Sequence, residues 1–421
     1  MKVPVGKFAT DLRWNAAAFG LSAVFGVLLN VLIVRWYDAA ALGVFNQVYA
    51  VYILLSQLAV GGVHLAVQAF VPRELFHGRR PDVFVTAAMV LSLVTSTVVM
   101  AIAWAGRDLP GRWFESPTVS EAFPTVIWGL LFFSWNKVLL SFHNGARRMK
   151  LFAAFQLFRT VLLLAGMVVL GLMGAGTAQL PQLLAWAELL LFLVVLPISL
   201  RSWWPMGGGD VRSAMGESFR FGNKALTGNF LLDINTRVDV FLLGILLNDR
   251  AVGLYSFAAT VAEGAMQLPV LLRNNINPVL SKAWNKGGAP LLSKVMARSK
   301  AAFFRMLAPL LGASVLLFPL AAWTLGMEEE PLTVWSVYAL LIAGLFSIAG
   351  RAPFLMLFSQ LGFPGTQTVL ILCGFLINVL LNLLFIPMLG ISGAALATGL
   401  ATVCTVLVQR VLAARTLGIR F

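Results

Sequence analysis

The chain has 421 residues, of which 59% are hydrophobic and only 11% charged, and its mean hydropathy is +0.87. A soluble domain carries roughly 25% charged residues, so polar surface is too scarce here to cover a soluble sphere. The formal net charge of +14 invites a nucleic-acid reading, but the basic residues sit in short connections between apolar runs, which argues against it.

Those runs recur at the length a bilayer demands, about 20 residues for a hydrocarbon core of roughly 30 Å. Backbone amides in lipid must be satisfied internally, so the runs are expected to be helices; a barrel would show short alternating segments. The expected fold is an all-α polytopic membrane protein of about twelve transmembrane helices. In chain order they fall at 14–35, 41–64, 83–105, 122–142, 151–173, 180–200, 220–247, 251–275, 302–326, 332–357, 365–387 and 390–412. The basic N-terminus (Lys2, Lys7, Arg13) precedes a run too long for a signal-peptide core and shows no small-residue cleavage site, so it is read as a retained first span.

Lys and Arg near span ends set orientation. With the N-terminus in the cytoplasm, the inside segments hold Lys2, Lys7 and Arg13; Arg73, Arg79 and Arg80; Arg147, Arg148 and Lys150; Arg201, Arg212 and Arg220; the basic stretch Lys282, Lys286, Lys294, Arg298 and Lys300; and Arg410, Arg415 and Arg420. The outside loops hold only Arg35, Arg107, Arg112 and Arg250, and they collect acids such as Glu328, Glu329 and Glu330. Both termini are therefore expected in the cytoplasm, and no loop is long enough to be a catalytic domain. The stretch 276–301 reads as an interfacial helix or a connector lying against anionic lipid.

A shift of 210 residues aligns the halves. Ala41-Leu42-Gly43-Val44-Phe45-Asn46 falls on Ala251-Val252-Gly253-Leu254-Tyr255-Ser256, and Gln57-Leu58 on Gln267-Leu268. Six spans per half imply two parallel-repeat lobes, 1–210 and 211–421, around a central cavity, an arrangement in which transporters place their pathway. The match is short and uses abundant residue types, so coincidence is its competing reading. Gly43 and Gly253 read as packing devices that let two helices approach closely.

Ionisable residues within spans are the candidate site. Each costs roughly 2.5–3.5 kcal/mol at a helix centre, so they are expected to face an interior or a wet cavity. Lys137, Arg159, Lys224, Arg273 and Arg351 fall in the cytoplasmic half of their spans, while Arg237, Glu188, Asp233, Asp239 and Glu263 lie nearer the midplane. A cationic vestibule suits an anionic headgroup such as pyrophosphate. Midplane carboxylates suit a coupling proton or Na⁺. Competing readings are that Arg159, Lys224 and Arg273 snorkel to the interface, and that Asp233 and Arg237, spaced i,i+4, neutralise each other.

The seventh span is the most polar, with Asn229, Asp233 and Arg237 on one stripe and Asn235 and Asp239 on another. Such a helix must be enclosed, cavity-lining or locally broken. Glu263 shares a face with Gln267 and, further on, Asn274; Ser347 and Arg351 repeat the theme in the tenth span, and Asn378 and Asn382 in the eleventh. Pro197, Pro269, Pro319 and Pro353 mark expected kinks. Cys373 and Cys404 lie in apolar runs and imply neither disulfide nor zinc site, and His64, His77 and His143 have no metal-ligand spacing. No glycine-rich phosphate loop is present, so no cofactor is expected.

Several stretches resemble Wzx-type polysaccharide flippases of the multidrug/oligosaccharidyl-lipid/polysaccharide exporter superfamily. They are Arg237 to Gly244, Val252 to Ala259, Ala262-Glu263, Gln267-Leu268-Pro269, Asn277-Pro278 and Asn378 to Thr398; the N-terminal half matches more loosely through Leu42 to Phe45 and Gly61-Gly62-Val63. The resemblance implies a twelve-helix transporter of the bacterial inner membrane that carries an undecaprenyl-pyrophosphate-linked oligosaccharide to the periplasmic leaflet by alternating access. It implies coupling to a proton or Na⁺ gradient, with membrane lipids and other polysaccharide-assembly proteins as partners. The multidrug exporters of the superfamily usually carry an acidic residue in the first span, and none lies between Trp14 and Val34. A cation-coupled exporter of drugs or small metabolites remains the alternative. A polysaccharide polymerase or ligase would need a large outside loop that the chain lacks.

Overall fold

The computed structural model describes residues 5–203, 210–324 and 330–419. Lys2, Glu328, Glu329 and Arg420 lie outside them, as do the side chains of Lys7, Arg13, Asn229 and Asn274. The described residues are helical without strands, as backbone satisfaction in lipid requires. In chain order the helices are α1 (Val5–Trp36), α2 (Ala39–Val60), α3 (Val63–Phe76), α4 (Asp82–Ala105), α5 (Leu109–Trp113), α6 (Pro117–Ala122), α7 (Gly129–Gly145), α8 (Met149–Leu172) and α9 (Leu183–Trp203). They continue with α10 (Val211–Asn235), α11 (Val238–Leu246), α12 (Asp249–Thr324), α13 (Pro331–Ser347), α14 (Leu357–Gln360) and α15 (Pro364–Leu417).

Six helices among the described residues are long and apolar enough to cross a membrane, or seven if Pro117–Val126 and Gly129–Gly145, bent by 51°, form one span. Gly20–Trp36 and Pro331–Ser347 are shorter apolar helices. Their outward faces are apolar: Leu316 on α12 is 80% exposed, and Val94 and Val98 on α4 and Leu380 and Leu384 on α15 are exposed with it. Apolar surface of this extent is at home in lipid, not water.

Several boundaries differ from the sequence expectation, each for a backbone reason. The second run stops at Val60, because Gly61 and Gly62 both take left-handed φ (59° and 71°), and α3 follows where a loop was expected. The run at 122–142 divides around a 3-10 turn at Phe123–Val126 containing Pro124. The seventh run is locally broken: α10 ends at Asn235 and α11 starts at Val238. The tenth ends at Ser347, short of Arg351 and the 3-10 turn Ala352–Phe354; Pro353 cannot donate to a continuing helix and biases its predecessor away from helical geometry. Helices continue through Pro197, Pro269 and Pro319, whereas α12 and α15 take non-helical backbone at Gly288 (φ 55°, ψ −147°) and Gly390 (φ 59°, ψ −135°). Unbroken, the 54 residues of α15 would run roughly 80 Å, more than twice a hydrocarbon core.

The chain forms two compact units: Met1–Tyr37 with Val44–Asp233, and Asp38–Gly43 with Ile234–Phe421. The first has a core where Val67, Val71, Val85, Val138, Phe142, Phe155 and Leu191 pack from α3, α4, α7, α8 and α9. The second has a core of Leu280, Leu292, Met296, Phe354, Phe358, Leu370 and Leu417. Within the second unit the repeat glycines meet reciprocally. A Cβ on Gly43 would overlap the carbonyl oxygen of Asp249, and one on Gly253 would overlap that of Ala39. Each glycine thus faces the residue four positions before the other, so the N-terminal turns of α2 and α12 cross with backbone against backbone.

Neither overlap can be relieved by a flexible side chain. Gly43→Ala and Gly253→Ala should each destabilise the detergent-solubilised protein by about 1–3 kcal/mol, as overpacked positions do. Gly264→Ala, with open space around the new methyl, should not. Thermal unfolding followed by tryptophan fluorescence checks this, and equal midpoints for all three variants would refute the close crossing.

Candidate functional site

In the first unit three helices bring charge together. Arg159 on α8 holds Glu188 on α9 through Nε at 2.5 Å from Oε1. Asn136 on α7 donates from Nδ2 to Glu188 Oε2 and to the Glu188 backbone carbonyl, both at 2.8 Å. The Glu188 side chain is 2% exposed and that of Arg159 28%, so the acid is sealed while the cation is partly open. Close packing makes this reach possible: a Cβ on Gly129 of α7 would lie 2.6 Å from the α9 backbone at Ala185 and 3.1 Å from the Tyr52 hydroxyl.

Lys137, one residue beyond Asn136, is half-buried. Its ammonium lies 5.8 Å from the centroid of Phe133, and the Arg159 guanidinium 5.5 Å from the same ring. Two cations share one aromatic ring, a favourable contact for each. Lys137 forms no ion pair among the described residues; Asp233, Arg159 and Glu188 are its electrostatic neighbours. The Tyr52 hydroxyl and Asn136 Oδ1 are buried without hydrogen-bond partners. Buried polar atoms are nearly always satisfied, so this cluster has unspent hydrogen-bonding capacity beside its cations.

The second constellation lies within the second unit. The α10–α11 break frees backbone groups and presents Arg237 (φ −128°, ψ 0°) ahead of α11. Asn235 and Thr236 favour such a break because their side chains compete for backbone hydrogen bonds. Arg237 Nη1 lies 3.4 Å from Glu263 Oε1 on α12, with the two side chains 22% and 44% exposed. Asp239, in the first turn of α11, accepts from the Val240 backbone N–H at 2.9 Å and from the Tyr255 hydroxyl. That position suits a carboxylate, since unpaired N–H groups gather at a helix N-terminus.

These groups line a cavity of about 400 Å³ together with Gln267, Asn378, Thr398 and Thr402. Asn378 donates to Asn235 Oδ1 at 3.3 Å, and Asn382 to Asn378 Oδ1 at 2.9 Å. Broken helices at membrane depth are tolerated where they line a cavity, and transporters commonly build substrate and ion sites at such breaks.

Apart from Asp233, whose charge acts on Lys137, the remaining candidates are dispersed. Asp233 is half-buried near the end of α10, and Lys224 on the same helix is exposed. Arg273 is half-buried on α12. Arg351 sits in the break after α13 and lines a different, smaller pocket. Sequence reasoning missed Asn136, Tyr52 and Phe133. The signal available was Asn136-Lys137, two adjacent polar residues in an apolar run; nothing in the sequence marks Tyr52 or Phe133. It also left open a pairing of Asp233 with Arg237; α10 ends between the two, and Glu263 on α12 is one partner of Arg237.

Glu188 is held by a cation that approaches it from another helix. Arg159→Met should therefore destabilise the protein by about 3–5 kcal/mol, the usual cost of leaving one buried charge unpaired. Adding Glu188→Gln should recover part of that loss. A double-mutant cycle on thermal midpoints checks this, and strict additivity of the two substitutions would contradict the pairing.

Comparison with solved structures shows the fold. A multidrug-resistance MATE transporter of the MOP superfamily in an inward-facing conformation superposes with a TM-score of 0.79 at 14% identity, covering 94% of each chain. The lipid II flippase MurJ, inward closed, gives 0.77 at 15% identity over 96% of this chain and 87% of its own. A MOP-superfamily transporter from Pyrococcus furiosus gives 0.67 at 14% identity over 98% and 99%. None of the curated proteins matches in sequence. The family described as polysaccharide biosynthesis protein matches residues 9–284. With two thirds of the chain matched by that family and the fold of these solved structures over nearly its whole length, this multi-pass membrane protein belongs to the polysaccharide biosynthesis protein family.

Proposed function

We propose that the protein is a flippase that carries a lipid-linked oligosaccharide, joined to undecaprenyl through pyrophosphate, from the cytoplasmic to the periplasmic leaflet by alternating access. Surface polysaccharide biosynthesis (O-antigen, capsule or exopolysaccharide) is the process it serves, in the bacterial inner membrane. The reading includes twelve spans in two six-helix lobes and both termini in the cytoplasm, because the loop charges alternate consistently with that layout. Family membership supports the polysaccharide role, and the likeness to a lipid II flippase is in keeping with a lipid-linked cargo.

The observation that carries the reading is Lys137. It is a half-buried cation beside Arg159 and Phe133, without an ion pair among the described residues. A structural charge in an apolar bundle is expected to be neutralised; one left available suits an anionic group that comes and goes. In this assignment Lys137 and Arg159 meet the pyrophosphate first, with Lys224 and Arg273 drawing it in. Arg237 receives it at the cavity of the second unit. Glu188 orients Arg159. Glu263 holds Arg237 until substrate competes for it, and Asp239 with Asp233 supplies carboxylate for a coupling proton or Na⁺.

The alternative, a cation-coupled exporter of drugs or small metabolites, is favoured by the open carboxylate of Glu263, 44% exposed. Substitution separates the two. Lys137→Ala, Arg237→Ala and Glu263→Gln, expressed in a flippase-deficient cell at matched membrane abundance, should each lower surface polysaccharide at least tenfold. Wild-type surface polysaccharide in Lys137→Ala and Arg237→Ala would overturn the flippase reading. Loss of drug resistance with polysaccharide intact would favour the exporter.

A further inference from the structure

The second unit holds a smaller pocket, of about 100 Å³, away from the cavity of Arg237 and Glu263. It is lined by Ser293, Met296, Ala297, Lys300, Arg351 and Phe354, together with Ile419. Two of its lining groups are cations, and the charges near enough to act on Lys300 are those of Arg351 and Arg410. No ion pair to Lys300 or Arg351 occurs among the described residues. The Arg351 Nε is buried without a hydrogen-bond partner, although a buried donor on a charged group is costly to leave unmet. The backbone holds the two cations side by side: a Cβ on Gly350 would lie 2.8 Å from the Lys300 carbonyl oxygen.

A concave site with converging cations, no carboxylate and one unmet guanidinium N–H has the chemistry of an anion receptor. The guanidinium fork matches a tetrahedral oxyanion and the ammonium adds a point charge. The volume is too small for a sugar repeat and sufficient for one phosphate group. We infer that Lys300 and Arg351, with Ser293 beside them, form a binding site for a phosphate group, carried either by an anionic phospholipid or by free phosphate. Bound there, the phosphate bridges α12 to the break that follows α13. This inference does not depend on the flippase reading, since it concerns neither the transported lipid nor transport.

The purified full-length protein tests it without any transport assay. Thermal unfolding is followed while short-chain phosphatidylglycerol, short-chain phosphatidylcholine or inorganic phosphate is titrated in a non-ionic detergent. Phosphatidylglycerol should stabilise the wild type saturably and more than phosphatidylcholine does. Lys300→Gln and Arg351→Gln should each raise the half-saturating concentration at least tenfold, whereas Arg298→Gln, exposed on the same helix, should leave it unchanged. If inorganic phosphate reproduces the effect at similar concentration, the source is free phosphate; if only the phospholipid acts, it is the headgroup. Should Arg351→Gln fail to fold, Lys300→Gln carries the test alone, because Lys300 is only half-buried. The inference fails if neither phosphate source stabilises the protein, or if Lys300→Gln responds as the wild type does.

Discussion

Charge inside an apolar helical bundle is the constraint from which most of this structure follows. An ionised group taken out of water loses several kcal/mol of hydration, and the chain places ten such groups within its apolar runs. The structure meets that cost in two distinct ways. Glu188 is sealed, paired at 2.5 Å with Arg159 and bonded by Asn136. Arg237 and Glu263 sit instead at a cavity wall, 3.4 Å apart and still partly open. The first arrangement is suited to holding a cation in place, and the second to exchanging partners.

Backbone breaks make the second arrangement possible. A continuous α-helix satisfies its own amides and offers a ligand only side chains. Where α10 gives way to α11, Arg237 and Asp239 stand at a helix start, and Tyr255 reaches Asp239 from α12. The turn after α13 does the same for Arg351. The other breaks, at Gly61–Gly62, Gly288 and Gly390, use left-handed backbone that glycine adopts without penalty. They limit helix length where the apolar pattern alone would run on.

Glycine also sets how near helices come, and this decides which side chains meet. Gly129 lets α7 close on α9, which brings Asn136 within reach of Glu188. Gly43 and Gly253 bring the starts of α2 and α12 backbone to backbone. The sequence repeat that relates these two glycines becomes, in three dimensions, one reciprocal contact.

The sequence by itself determined the all-helical class, the membrane environment and the identity of the charged residues that need explanation. Each of these is a local property: run length, loop charge and the transfer cost of one side chain can be read without knowing any neighbour. Much of the candidate site was therefore legible, down to Lys137, Arg159, Glu188, Arg237, Asp239 and Glu263. Only the tertiary structure decided their partners. Glu188 meets Arg159 and Asn136, Glu263 meets Arg237, Asp239 meets Tyr255, and Arg351 stands apart in a pocket of its own. Those choices depend on helix breaks and on ångström-scale approach between segments far apart in the chain, and neither hydropathy nor spacing encodes such distances.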